Sequence, residues 1–232
     1  MADNLTIEVD EHQRTTALAY RAHGEERVHT TLVLAHGAGA GQQHPFMIQF
    51  ATGLATRGID VLTFNFVYTE QRRRVPDRTE ALEACYRAAL ASARGYGPFD
   101  SNTLFVGGKS MGGRIASYLA AAADAAALGI RGVVLLGYPL HPPGKPAQLR
   151  VSHLPRIGVP MLFVQGSRDP FGTPDELRPH LEALGARVTL HVVEGGDHSL
   201  APSKSGVRSA EQVYGQVQDA IVQWMRASSH VL

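Results

Sequence analysis

The sequence predicts an α/β fold, a mainly parallel sheet of about eight strands with helices on both faces and no large cap domain. Three observations predict it. Short apolar runs recur along the chain and are continuous rather than alternating, which is how strands buried on both faces read. Segments with helical spacing separate them in a strand–helix–strand rhythm. The chain has 232 residues, 44% of them hydrophobic and 19% charged, enough for one α/β domain over residues 1–232 and typical of a globular core.

Each element follows in order. Residues 5–9 (LTIEV) and 17–20 (ALAY) read as a leading antiparallel hairpin. Residues 30–36 (TTLVLAH) form the first fully buried strand. Phe46, Ile48, Phe50, Leu54 and Ala55 mark a helix over 45–56 that stops near Gly58. Residues 59–66 (IDVLTFNF) are the next strand, and Leu82, Cys85, Tyr86, Ala89 and Leu90 form a helical stripe ending at Gly95. The strand 103–108 (TLFVGG) leads into a helix over 111–123. Strands at 131–138, 160–166 and 187–193 continue the series, with helices at 174–184 and 208–226. The Pro-rich stretch 139–160 is the one long irregular connection. It reads as a loop that walls the site rather than a domain boundary.

Composition excludes several functions. Lys+Arg at 22 against Asp+Glu at 21 leaves a net charge of +1, without the basic excess of a nucleic-acid-binding domain. Cys85 is the only cysteine, so a disulfide framework and a multi-cysteine metal site are both impossible. The N-terminal segment MADNLTIEVDEHQR lacks the basic-then-apolar plan of a signal peptide. No run approaches the length of a membrane span. The expectation is a cytoplasmic protein with a small-molecule substrate, no nucleic-acid or membrane partner, no metal and no cofactor. The oligomeric state stays open.

Ligands of open parallel sheets bind beyond the carboxyl ends of the strands, so strand exits are where reactive groups are sought. The exit of 103–108 reads Gly108-Lys109-Ser110-Met111-Gly112, a G-x-S-x-G. A nucleophile on a tight strand-to-helix turn needs strained dihedrals, and flanking glycines let backbone approach without clashes. Chance alone yields this pattern in roughly one such sequence in eight, so its place between a buried strand and a small-residue helix carries the reading. Serine requires a base, and the base an acid to hold its tautomer. Asp169 follows the strand 160–166 and His198 follows 187–193, and Ser110, Asp169, His198 is the chain order of a hydrolase triad. Asp197 and Asp175 are rival acids. Asp197 adjoins the histidine, from which its side chain should diverge, and Asp175 suits the first turn of a helix. Oxyanion donors would be the backbone N–H groups of Met111 and of Ala38, the latter in the loop His36-Gly37-Ala38-Gly39-Ala40-Gly41.

These residues bring the chain to a family. Over nearly its whole length it resembles the α/β-hydrolase superfamily, in the small capless form of dienelactone-hydrolase-like proteins. HGAGAG, FNFVYTEQRRRVPD, GGKSMGGR, LLGYPLHPPGKP, LFVQGSRDPFG and EGGDHSL look more closely like the testis-expressed hydrolase-like group of predicted hydrolases. A subunit of the NSL histone-acetyltransferase complex belongs to that group. The resemblance implies serine hydrolase chemistry carried by Ser110, Asp169 and His198. Dienelactone hydrolases use a cysteine nucleophile where this chain has Ser110, so their substrate does not transfer. A catalytically silent binding protein, or an acyltransferase with the same triad, are the alternatives.

Six further residues are candidates for contacting substrate. Arg72, Arg73 and Arg74 follow the strand 59–66 and so belong to the catalytic face. Lys109 precedes the serine. His36 and His141 sit at the exits of 30–36 and 131–138, His141 in the stretch expected to wall the pocket, while His36 and His44 suit loop hydrogen bonding better than metal ligation. The arginines either pair with Glu70 or Asp77 or hold a carboxylate or phosphate of the substrate.

Overall fold

The computed structural model describes residues 2–23, 27–99, 102–203 and 208–229. An eight-stranded sheet runs through it. Its strands are β1 (Asp3–Glu8), β2 (Arg14–Tyr20), β3 (Thr30–Ala35), β4 (Asp60–Phe64), β5 (Thr103–Lys109), β6 (Ile130–Leu136), β7 (Met161–Gly166) and β8 (Val188–Val193). The spatial order is β1-β2-β4-β3-β5-β6-β7-β8. β1 pairs β2 and β2 pairs β4 antiparallel, and all other pairings are parallel. The chain therefore turns to one side of β3 to lay down β4, and to the other to lay down β5. Such a reversal opens a crevice at the carboxyl ends of the strands that flank it.

Among the described residues six α-helices accompany the strands: α1 (Pro45–Ala55), α2 (Val67–Glu70), α3 (Thr79–Gly95), α4 (Met111–Ala120), α5 (Pro174–Glu182) and α6 (Ala210–Ser229). Alternate residues of each strand feed opposite faces of the sheet. Val33, Ala35 and Val106 join Tyr86 and Leu90 of α3, Ile115 of α4 and Leu177 of α5 in one core. Leu32, Leu34 and Phe105 join Phe50 of α1 and Val217 and Ile221 of α6 in the other. Trp224 packs inward, edge-on to Phe105 at 5.8 Å between ring centroids. Cys85 is buried, and burial pushes its thiol up to about 12. No helix among the described residues is long and apolar enough to cross a membrane.

Among the boundaries that differ from the pattern-based expectation, those of β4 and α4 have a tertiary reason. β4 stops at Phe64 because the Phe66 N–H leaves the ladder and donates to His36 Nε2 at 3.1 Å, and the chain turns into the short helix α2. Helix α4 ends at Ala120 although alanines follow. Beyond it successive i to i−3 backbone bonds form turns, and Arg87 of α3 grips Asp124 with its two terminal guanidinium nitrogens at 2.8 and 2.9 Å. Alanine's helix preference yields there to the need to return toward β6.

Tyr86 ties the central strands together. Its fully buried hydroxyl faces the carbonyls of Val33 and Gly107 at 2.6 and 2.8 Å and accepts the Gly107 N–H at 2.9 Å. Tyr86→Phe strands these groups without water, so it is expected to lower unfolding free energy by about 1–3 kcal/mol. Denaturant unfolding measures this, and unchanged stability would mean that the backbone groups find other partners.

Candidate active site

Ser110 stands between β5 and α4 with φ 51° and ψ −115°, a region that non-glycine residues seldom occupy. Its N–H donates to the Leu136 carbonyl at 2.9 Å, and its carbonyl accepts from Arg114 at 3.0 Å. The turn is tight enough to dictate its neighbours. A β-carbon on Gly108 would lie 2.4 Å from the Gly112 backbone, and one on Gly112 would lie 2.4 Å from the Ala35 carbonyl oxygen. Any side chain at either position would push β3, β5 and α4 apart.

The structure brings Ser110, His198 and Asp169 together. His198 Nε2 lies 2.8 Å from Ser110 Oγ, and its Nδ1 lies 2.8 and 2.9 Å from the two Asp169 carboxylate oxygens. A carboxylate can only accept, so Nδ1 carries the proton and Nε2 is left to accept from the serine hydroxyl. Asp169 is 1% exposed. Its carboxylate also accepts the Phe171 N–H and a Gln165 Nε2 hydrogen, each at 2.8 Å. The loop bearing His198 is fastened by Arg168, which donates to the Gly195 carbonyl at 2.8 and 3.0 Å. The Gly195 N–H donates to Ser167 Oγ at 2.8 Å.

Both rival acids have other work. Asp197 accepts the N–H groups of Ser199 and Ala201, shaping the turn that presents His198. Asp175 lies in the first turn of α5, where Thr173 and Glu176 form a capping box.

A pocket of about 300 Å³ opens at Ser110. Ala38, Phe46, Met47, Phe171 and Lys109 line it with Ser110 and His198. Met111 is the first residue of α4, so its N–H has no intrahelical partner. Lys109 is buried, its Nζ 5.9 Å from the Phe46 ring centroid. Burial brings its ammonium down to about 8, against the pull of Asp169 and Asp197.

Other expected contacts fall elsewhere. His36 is fully buried. Its Nδ1 donates to the Gly37 carbonyl at 2.8 Å while Nε2 accepts from Phe66, and burial holds the imidazole down to about 4. It braces the 37–41 loop as a neutral ring and cannot reach substrate. His141 and the 139–160 loop do not line the pocket. His141 is buried beneath the acid loop, where its N–H donates to the Phe171 carbonyl at 3.0 Å and its ring meets Glu176 at 3.3 Å. The wall comes instead from the 37–47 segment and Phe171. Arg72, Arg73 and Arg74 line an adjoining cleft rather than this pocket. Arg73 pairs with Asp77 at 2.6 Å, whereas Glu70 bonds Thr16 and Asn65.

Two residues escaped the sequence reading. Gln165 is fully buried at the end of β7. It accepts the Tyr138 N–H at 2.8 Å and donates to Asp169 and to the Gly172 carbonyl. A lone amide closing the apolar run PMLFVQG is the signal that could have found it. Phe171 stacks on the His198 ring at 4.1 Å and 26°. Nothing local marks it, because the contact joins two loops.

Comparison with known proteins identifies the fold and the family. Among solved structures, the chain is similar to a serine hydrolase without a lid from Xanthomonas campestris. Identity there is 20%, with 96% of this chain and 94% of that chain covered and a TM-score of 0.73. It is similar to a dienelactone hydrolase from Anabaena variabilis at 18% identity, 98% and 97% coverage and a TM-score of 0.74. It is also similar to an esterase from Pyrococcus furiosus at 15% identity, 98% and 92% coverage and a TM-score of 0.74. At these identities the likeness is one of fold. A family model described as the alpha/beta hydrolase domain matches residues 28–226, from just before β3 into the last turns of α6. The chain belongs to the α/β-hydrolase family.

Proposed function

We propose that the protein is a serine hydrolase of the carboxylesterase type, cleaving a carboxylic ester or related acyl bond through an acyl-enzyme. The observation that carries this reading is the hydrogen-bonded series Ser110 Oγ, His198 Nε2, His198 Nδ1, Asp169, at 2.8 to 2.9 Å throughout. Ser110 Oγ attacks the acyl carbonyl carbon while its proton passes to His198 Nε2. Asp169 keeps the imidazole in the accepting tautomer and stabilises the imidazolium that forms. The N–H groups of Met111 and Ala38 serve the oxyanion, at the amino end of α4 where negative charge is favoured. His198 then protonates the departing alkoxide. Water, deprotonated in turn by His198, attacks the acyl-enzyme and releases the acid. The pocket between Phe46, Met47 and Phe171 suits a short acyl group.

The test is labelling by a neutral fluorophosphonate, run beside hydrolysis of short p-nitrophenyl esters. Both are expected in the native chain and absent in Ser110→Ala. Folded protein that neither labels nor turns over would sink the reading.

A further inference from the structure

The Ser110 pocket occupies only part of this face. Beyond the 37–41 loop lies a second cleft, of about 690 Å³, that shares Gly39, Ala40 and His44 with it. The two cavities therefore adjoin along these residues. The outer wall is formed by Tyr68, Thr69, Arg72, Arg73 and Arg74, and no carboxylate lines the cleft.

The three guanidiniums are not equivalent. Arg73 is spent on Asp77 and on Gln71. Arg72 and Arg74 make no side-chain hydrogen bond or ion pair among the described residues. Glu70, the nearest acid in sequence, is taken up by Thr16 and Asn65, and these bonds outweigh burial and lower its pKa. The cleft therefore carries two uncompensated positive charges. The Tyr68 hydroxyl in the wall is buried without a partner in hydrogen-bond geometry. The Thr69 and Gly39 groups beside it only temper the rise that burial imposes on its pKa.

Backbone hydrogen bonds fix the turn at Arg72 and Arg73. The N–H of Arg72 donates to the Thr69 carbonyl and that of Arg73 to the Tyr68 carbonyl, both at 2.9 Å. Arg72 follows the C-cap of α2 with φ 56°, a left-handed position that glycine fills by default. Arginine there carries backbone strain that glycine would escape.

We propose that this cleft is the leaving-group subsite of the hydrolase, and that it takes an alcohol bearing a phosphate monoester gripped by Arg72 and Arg74. The proposal rests on the serine hydrolase reading. The smaller pocket holds the short acyl group, so the remainder of the substrate extends past Ala40 and His44 into the cleft. Guanidiniums bind phosphate through paired N–H donors. Two free guanidiniums and no lining carboxylate suit a dianion better than a single carboxylate.

The experiment compares hydrolysis of 1-butyrylglycerol 3-phosphate, 1-butyrylglycerol and the butyryl ester of glycolate. Native protein and Arg72→Gln/Arg74→Gln are assayed in parallel, with neutral fluorophosphonate labelling of each. The phosphate ester is expected to lead in kcat/KM by about 10- to 100-fold, mostly through KM. The double variant should bring it to within about threefold of the neutral ester, with labelling unchanged. In native protein the preference should shrink several-fold as salt rises from about 50 to 500 mM, a readout that needs no variant. Equal rates on all three esters, with labelling intact, overturn the subsite and leave the hydrolase standing. A preference for the glycolate ester overturns the phosphate assignment. Absent turnover and absent labelling sink the hydrolase reading and the leaving-group assignment with it; the phosphate grip of Arg72 and Arg74 is then decided by titrating both proteins with glycerol 3-phosphate. Saturable binding lost in the double variant supports that grip, and equal or absent binding overturns it.

Discussion

Asp169→Asn is expected to lower kcat on short esters by about 1,000- to 10,000-fold, because it inverts the proton logic of the imidazole. In the native chain both carboxylate oxygens accept from His198 Nδ1. One also takes the Phe171 N–H and the other a Gln165 hydrogen. An amide has one oxygen, which cannot serve both of these donors. Its NH₂ must face a donor or face Nδ1, and donating to Nδ1 moves the ring proton to Nε2, where it meets the Ser110 hydroxyl. Gln165 cannot rotate to relieve this without losing its bonds to Tyr138 and Gly172. A stability loss of about 1–3 kcal/mol should accompany the change. Steady-state kinetics together with denaturant unfolding would measure both. A kcat within tenfold of native, in folded protein, would remove Asp169 from its proposed role. Asp197→Asn keeps an oxygen for the Ser199 and Ala201 N–H groups and should change kcat little.

Lys109→Met is expected to stabilise the protein at pH 7, and the gain should fade at high pH. The buried ammonium titrates near 8 rather than at its ordinary 10.5, a drop corresponding to about 3 kcal/mol. Below pH 8 both folded and unfolded chains hold the proton, so folding bears the full cost of burying the charge. Between pH 8 and 10.5 the folded chain releases the proton while the unfolded chain retains it. Rising pH then favours the folded state. Above 10.5 the cost is gone. Methionine fills the same space beside Phe46 and carries no charge, so its advantage should fall from about 3 kcal/mol to near zero across that window. Unfolding both proteins at pH 7, 8.5 and 10.5 cancels the other titrating groups in the difference. A difference that stays constant with pH would show that Lys109 is not held in a charge-disfavouring site.

Much of this was legible in the sequence for local reasons. Continuous apolar runs located β3, β5, β6 and β7, because a strand covered on both faces needs no alternation. Gly108 and Gly112 announced the turn at Ser110, since only glycine tolerates backbone so close. The exits of β7 and β8 supplied Asp169 and His198 because parallel strands deliver their carboxyl ends to one edge. What the sequence by itself determined was therefore the strand series, the strained serine and the edge to which reactive groups come.

Partnership between side chains was decided only by the tertiary structure. His36 and His141 stand at the right strand exits, yet one braces Phe66 and the other lies under Phe171. Gln165 supports Asp169, and Phe171 stacks on His198, through contacts that no local pattern encodes. Within the arginine run, identical neighbours divide into one bound to Asp77 and two with no side-chain partner among the described residues. Periodicity reports which face of an element is buried. Which atoms meet across elements depends on the packing of strands far apart in the chain, and that is settled only when the whole sheet is assembled.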